Sequence, residues 1–245
     1  MKTAIKYFLK SISNFTKEGV SFQIEGETLD FKACEKIAIN PSFFKEFICK
    51  RCCVCCQKGI SPLVYSDSDV TRMKECHTEE GVQKLTDGLR EFPIQVNGET
   101  KNLFLYEFSG YRCGFDKLME GDDIWGCQLH FLNLKQLLCL LPWVRIIDSR
   151  GCVNLGKRPF GYSWAFGCRA QWGREFSEEQ FLDHDLVIIQ RMIDASNDLG
   201  ISTYLPEVME KLQDWHKKYK EGKAVVPQTN LVVIDLKNKD KKFFI

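Results

Sequence analysis

The sequence predicts an α+β fold in which small strands and helices surround a cysteine-rich, loop-rich metal region, with two amphipathic helices towards the C-terminus. Three observations predict it. Five of the twelve cysteines fall between Cys49 and Cys56, and Cys113, Cys127, Cys139, Cys152 and Cys168 are spread through a stretch with poor hydrophobic periodicity. A chain fixed by metal ligands rather than by a core gives that combination. Alternating apolar residues flank Asn97-Gly98, which reads as a hairpin. Finally, apolar residues recur at helical spacing from Leu182 to Ile193 and from Leu205 to Tyr219.

The chain in order begins with a short helix expected over Lys2–Ile12. Val20–Ile24 alternates as a strand does and runs into a turn at Glu25-Gly26. Pro41–Ile48 brings Phe43, Phe44 and Phe47 up to the first cysteines, where bulky apolar groups would either shield a thiolate site or simply form core. Ser61–Tyr65 reads as extended, and Ser66-Asp-Ser-Asp69 supplies helix N-cap residues. Val70 and Met73 then fit one helix reaching His77, and Val82, Leu85 and Leu89 fit a second over Glu79–Leu89. Strands follow at Phe92–Val96 and Asn102–Phe108. Residues 111–170 are expected to be loop-rich.

Ser177-Glu-Glu-Gln180 is a capping-box signature, with Leu182, Leu186, Ile189 and Ile193 on one face behind it and Gly200 as the stop. Thr203 opens the last helix, with Pro206 in its first turn and Gly222 at its end. Its apolar stripe is Leu205, Val208, Leu212, Trp215 and Tyr219, which reads as core. Leu231–Leu236 and Lys241–Ile245 are expected to close the chain as a strand pair. The domain reading is a lead-in over 1–45, a cysteine-cluster domain over 46–180, and a helical segment over 181–245 packed on it in a single compact unit.

A chain of 245 residues with 44% hydrophobic and 27% charged content is globular and long enough to bury a core without disulfides. The net charge of +1 gives no global attraction to nucleic acid or to an anionic membrane, and neither is expected as a partner. Lysines break every apolar run from Met1 to Lys10, which makes a poor signal peptide. The most apolar later window, Phe131–Ile147, contains Lys135, Gln136, Pro142 and Arg145 and is too polar for a membrane span. The chain therefore reads as cytoplasmic with reduced thiols, in preference to a secreted disulfide scaffold.

Cys49-x-x-Cys52-x-x-Cys55-Cys56 carries the chemistry. Two residues between cysteines let both thiolates turn to one centre, as in zinc knuckles and iron–sulfur loops. Adjacent cysteines such as Cys55 and Cys56 point apart in an extended backbone, so either a sharp turn or two neighbouring centres would use both. Cys53 is a spare thiol in this reading. Cys34, Cys76 and Cys152 stand alone and read as buried structural thiols. His130, three residues after Cys127, is either a ligand or a donor to one. His77, His184 and His216 read as helix residues without chemistry. Arg169 and Arg174 read as solvated charge and the Glu120, Asp122, Asp123 run as a turn. P-loop, Rossmann, His-Glu-x-x-His and Gly-x-Ser-x-Gly patterns are all missing.

The pattern resembles the YkgJ-type cysteine-cluster family, a zinc- or iron-chelating domain whose opening C-x-x-C-x-x-C-C is matched by Cys49, Cys52, Cys55 and Cys56. Its next elements look like Cys113-Gly-Phe115 and Cys127-Gln-Leu-His130. Lys135 with Cys139-Leu-Leu-Pro142 and then Cys168-Arg-Ala-Gln-Trp-Gly-Arg174 complete it, over roughly residues 45–180. The chain departs from the family in having Lys135 without the usual arginine-proline, Leu140 where arginine is usual, Cys53 where glycine is common, and a longer Cys127–Cys139 interval. The resemblance implies Cys49, Cys52, Cys55, Cys56, Cys113, Cys127, Cys139 and Cys168 as metal ligands. Eight thiolates suffice for two four-ligand centres, or for one centre with the remaining thiols packed as small apolar groups.

These readings combine into an expectation of a cytoplasmic metal-binding protein that holds a cysteine-ligated iron–sulfur cluster of the 4Fe–4S type. Its role would be electron transfer or structure, with an unnamed protein or redox partner. Zinc is the alternative cofactor, since tetrahedral sulfur sites suit either, and it would make the chain a structural or interaction module. Catalysis is left open. Flagellin lysine methylase has a related cysteine-rich layout, and that analogy alone suggests a protein-modifying enzyme.

Overall fold

A computed structural model of the chain describes residues 2–39, 45–48, 62–75, 80–107, 116–118, 125–127, 129, 144–146, 152–155, 171–175, 178–222 and 232–235. Helix α1 spans Lys2–Ser13, as the periodicity predicts. Ile5, Phe8, Leu9 and Ile12 lie on one face and are fully buried, while Lys2 and Lys6 on the solvent side pair with Glu25 and Glu27. Ser13 Oγ donates to the Leu9 carbonyl at 2.7 Å in the last turn.

Strands β1 (Val20–Ile24) and β2 (Glu27–Phe31) form a hairpin whose two-residue turn, Glu25-Gly26, has φ of 46° and 81°. Strands β6 (Arg90–Val96) and β7 (Glu99–Tyr106) form a second, with Asn97 and Gly98 at 50° and 88°. Positive φ at both turn positions is the geometry that matches strand twist. The Asn97-Gly98 turn was legible in advance, but β7 starts at Glu99 rather than Asn102, because a two-residue turn resumes pairing at once. With β5 (Leu63–Tyr65) these strands make an antiparallel sheet in the order β2-β1-β6-β7-β5.

The sheet carries apolar groups on both faces at its β7–β5 side. Val64 and Leu105 face each other and belong to the main core, with Phe22, Ile94, Leu103 and α1. Tyr65 opposite Phe104, and Leu63 opposite Tyr106, belong to a second cluster with Met73 of α2 (Asp67–Glu75), Val82 and Leu85 of α3 (Glu80–Asp87), and Leu129. Both helices match the sequence reading.

Helix α4 (Glu178–Asp198) and helix α5 (Leu205–Lys220) close the main core with Ile188, Ile189, Met192, Leu205, Val208 and Leu212. Gly200 ends α4 at φ 69°, with its N–H donating to Asn197 and that of Ile201 donating to Ser196, so the last carbonyls are satisfied by a left-handed glycine cap. Two segments far apart in sequence meet here. Lys17 N–H donates to the Ser202 carbonyl, Tyr204 N–H donates to the Phe15 carbonyl, and Thr16 bridges Thr203. The α+β class is therefore established for the described residues.

Strands the sequence did not announce lie beside the cysteines. β3 (Lys36–Ile39) is central in a mixed sheet ordered β10-β11-β3-β13, with β10 at Val144–Ile146 and β11 at Cys152–Leu155. β13 (Val232–Asp235) pairs antiparallel with β3, so the expected closing strand finds its partner near the start of the chain; residues 241–245 lie outside the described residues. Two small ladders remain, β4 (Lys45–Ile48) with β12 (Gln171–Glu175) and β8 (Asp116–Leu118) with β9 (Trp125–Cys127). Among the described residues, the stretch 111–170, expected to be loop-rich, contains four short strands that the sequence did not locate. Three or four residues are too few to display a period, which is why they were invisible.

Candidate metal centre

The ladder β4–β12 joins the flanks of the two cysteine blocks. Ile48 is the register partner of Gln171 and Phe47 of Trp172, and the register shifts before Lys45 meets Glu175, as at a β-bulge. In an antiparallel pair the last residue of one strand and the first of the other share one end. In sequence, Cys49 follows Ile48 directly and Cys168 precedes Gln171 by three residues. The ladder β8–β9 repeats the relationship on a smaller scale. Asp116 is opposite Cys127, and Cys113 precedes Asp116 by three residues.

Of the predicted ligands, Cys127 lies among the described residues, at the end of β9. Cys49, Cys52, Cys55, Cys56, Cys113, Cys139 and Cys168 lie outside them, as do Cys53, Cys76, His77 and His130. Leu129, two residues beyond Cys127, is 1% exposed in the second cluster and anchors that segment against Tyr65 and Met73. Cys152 opens β11 opposite Lys36. Cys34 is buried in the main core, its N–H donating to the Thr16 carbonyl at 2.8 Å and its Sγ to the Lys36 carbonyl at 3.5 Å, in keeping with a structural thiol. Among the described residues no three histidine, cysteine or acidic side chains converge as a metal site.

A buried ionic seam between α2 and α4 went unread in the sequence. Ser66 caps α2, with Asp69 reaching back to the Ser66 N–H at 3.3 Å. Asp69 Oδ1 also accepts from Arg191 Nε at 3.2 Å, Arg191 Nη2 at 3.0 Å and Arg72 Nη2 at 2.7 Å. Arg72 Nη1 donates to Asp194 at 2.7 Å, and the Ser68 N–H and hydroxyl both donate to Asp198. Two carboxylates and two guanidinium groups balance in the middle of the seam. Burial pulls the Arg72 pKa down, but its hydrogen bonds and charge contacts with Asp69 and Asp194 outweigh this, and the net direction is up. Asp67 sits at the start of α2. Partial burial, then Asp198 and Glu91 nearby, raise its pKa above the ordinary value. The available signal was the spacing of Arg191, Asp194 and Asp198, one stripe beside the apolar face of α4.

Comparison of the chain with protein-family models, curated proteins and solved structures gives no match. No helix among the described residues is long and apolar enough to cross a membrane.

Proposed function

We propose that this chain is a cytoplasmic metal-binding protein of the YkgJ type that holds a cysteine-ligated iron–sulfur cluster, of the 4Fe–4S kind, in an electron-transfer or structural role. The reading rests on one juxtaposition. The ladder that pairs Ile48 with Gln171 ties the sequence flank of Cys49 to that of Cys168, and these cysteines open the first block and end the second. Distant thiols held by one scaffold suit a shared centre better than a self-contained knuckle does.

The donor set fits the cofactor. Thiolates are the common ligands of such clusters, and eight of them exceed the need of one structural zinc. Adjacent cysteines such as Cys55 and Cys56 are seldom used together in a closed zinc site. A cluster, when bound, supplies one-electron chemistry; the residues of this chain supply ligands and exclude water.

The test is protein expressed and purified without oxygen, with iron, zinc and acid-labile sulfide measured. Brown protein with iron and sulfide in equal amounts is the expected result. Colourless protein with stoichiometric zinc and no sulfide would replace the cluster by a zinc-stapled interaction module. Protein with neither metal would end the metal reading.

A further inference from the structure

We propose that Asn97-Gly98 is a site of spontaneous covalent modification, deamidation with formation of isoaspartate, and that the tie between β1 and this turn holds the reaction back until it opens. The proposal is independent of the metal reading.

Asn97-Gly98 is the one Asn-Gly step in the sequence. In such a step the Gly98 backbone nitrogen attacks Cγ of the Asn97 side chain, since glycine places no Cβ beside the nucleophile. An N–Cγ bond forms, the bond from Cγ to the amide nitrogen breaks, and ammonia leaves with the proton that the Gly98 nitrogen gives up. Water then opens the five-membered imide at either carbonyl. One opening leaves aspartate. The other leaves isoaspartate, in which the main chain runs through Cβ and Cγ. Both residues are exposed, and a Cβ added at Gly98 would meet nothing within 4 Å, so water reaches the ring and bulk does not oppose it.

Asn97 is doubly tied to β1. Its N–H donates to the Ser21 carbonyl at 2.9 Å, and its Oδ1 accepts from the Ser21 N–H at 2.9 Å. Only the amide oxygen can accept from an N–H, which settles the orientation of the side chain. Ring closure must turn the Asn97 side chain and the Asn97–Gly98 peptide towards each other. Ser21 pins the first. The second is pinned by a turn with φ of 50° and 88°, closed by Val96 opposite Glu99. The Ser21 N–H also draws electron density from the amide and makes Cγ a better target. That polarisation acts only where the nitrogen can reach the carbon, so the constraint decides the sign. The reaction therefore passes through a locally opened form in which the turn parts from β1, and its rate reports how often that form is visited.

The two products differ in consequence. Aspartate keeps an acceptor for the Ser21 N–H and is among the few residues that visit positive φ. Isoaspartate adds one atom to the main chain of a two-residue turn, and that turn sets the register of β6 against β7. Ile94, Val96, Leu103 and Leu105 enter the main core from these strands, so the lesion reaches the core.

The test follows the full chain in mildly alkaline buffer, folded and in denaturant, with peptide mapping by mass spectrometry to resolve aspartate and isoaspartate at position 97. Two hydrogen bonds must open, so the folded chain should react slower by about tenfold or more. Ser21→Pro removes the N–H that holds Oδ1 and should bring the folded rate towards the denatured one. Should that variant not fold, the unmodified chain in urea below its unfolding transition decides, and its rate should rise with urea. The isoaspartyl form, separated by chromatography, should melt below the unmodified chain, and Asn97→Asp should melt close to it. Equal rates in folded and denatured chains, or a faster folded reaction, would overturn the protection, as would a folded Ser21→Pro chain that reacts at the unmodified rate. A denatured chain that keeps Asn97 intact would overturn the site itself. An isoaspartyl form as stable as Asn97→Asp would overturn the link to the core.

Discussion

Ile48 and Gln171 are register partners at the end of the β4–β12 ladder, although one lies in the first quarter of the chain and the other in the last third. Such a pairing must bring together two long segments, and its loop-closure cost is met only if other contacts hold the same ends. The ladder is short, so it depends on whatever else joins the two blocks.

The first prediction follows from that dependence. Successive N–H groups of a strand point to opposite sides, so one of Gln171→Pro and Trp172→Pro removes a ladder N–H, and that variant should lower metal content in the full chain. A fragment ending near Leu103, which keeps Cys49–Cys56 but lacks β12, should bind metal poorly or in altered stoichiometry. Native-like binding by both would make the first block self-contained, like a zinc knuckle. Metal per chain, measured after desalting, decides.

Phe8 reports on the scaffold alone. It is fully buried in the core shared by α1, the five-stranded sheet and α4. Phe8→Ala should cost about 3–5 kcal/mol by loss of transfer energy and creation of a cavity. Denaturant midpoints at constant slope check this, and a loss below 1 kcal/mol, on the scale of a tolerated swap, would mean that the core is not packed as described.

Gly200 is a matter of backbone. Its φ is 69°, and a Cβ there would meet the flexible end of Lys101 at no less than 3.5 Å, so space is not the constraint. Gly200→Ala should therefore cost about 1–2 kcal/mol, the penalty of a left-handed conformation for an L-residue with a Cβ. Gly200→Asn should cost less, because asparagine visits that region more readily. Equal unfolding temperatures for all three forms would refute the cap.

Asp67 predicts a pH dependence with a definite sign. Its folded pKa lies above its ordinary value of 3.8, so the folded state holds the proton more tightly than the unfolded state does. The contribution to stability is fully present below 3.8 and is lost as pH rises through the raised folded value. Asp67→Asn should thus be at least as stable as the unmodified chain near neutrality, and its relative advantage should shrink on acidification. The helix dipole favours a negative charge at this end of α2, which keeps the effect small. A relative advantage that grows towards acid would show the sign to be wrong.

Much of the scaffold was legible because its signals are local. Ile5, Phe8, Leu9 and Ile12 carry a helical period, Asn97-Gly98 names its own turn, and Gly200 and Gly222 stop their helices. β3, β4 and β8–β11 were not legible because each has only three or four residues, too few for a period, and β12, Gln171-Trp-Gly-Arg-Glu175, shows no apolar alternation. The seam was missed for a related reason. Asp69 reads as a capping residue, Arg191 lies off the apolar stripe of α4, and only the packing of α2 on α4 makes them partners. Of the predicted metal ligands, Cys127 lies among the described residues, whereas Cys49, Cys113 and Cys168 lie outside them and are neighbours of described strands in sequence alone.

The cysteines themselves supply the last prediction, because the proposed function sorts them into two classes. Cys55→Ser, Cys56→Ser and Cys168→Ser should each lose metal and solubility together. A serine oxygen is a poor replacement for a thiolate, and in segments ordered by metal the binding free energy is part of the folding free energy. Cys34→Ser should keep full metal. Its sulfur lies in the main core against the Lys36 carbonyl, so the substitution places a hydroxyl where a thiol sat and should show up in stability rather than metal content. Cys76→Ser is the second control, chosen because it falls outside the matched motif. The measurement is metal per chain on anaerobically purified protein, with unfolding curves recorded on the same samples. If the three ligand substitutions leave metal content as unchanged as the two controls do, the assignment of the motif is wrong whatever the metal. If Cys34→Ser loses metal as Cys168→Ser does, the boundary between structural and ligating thiols has been drawn in the wrong place.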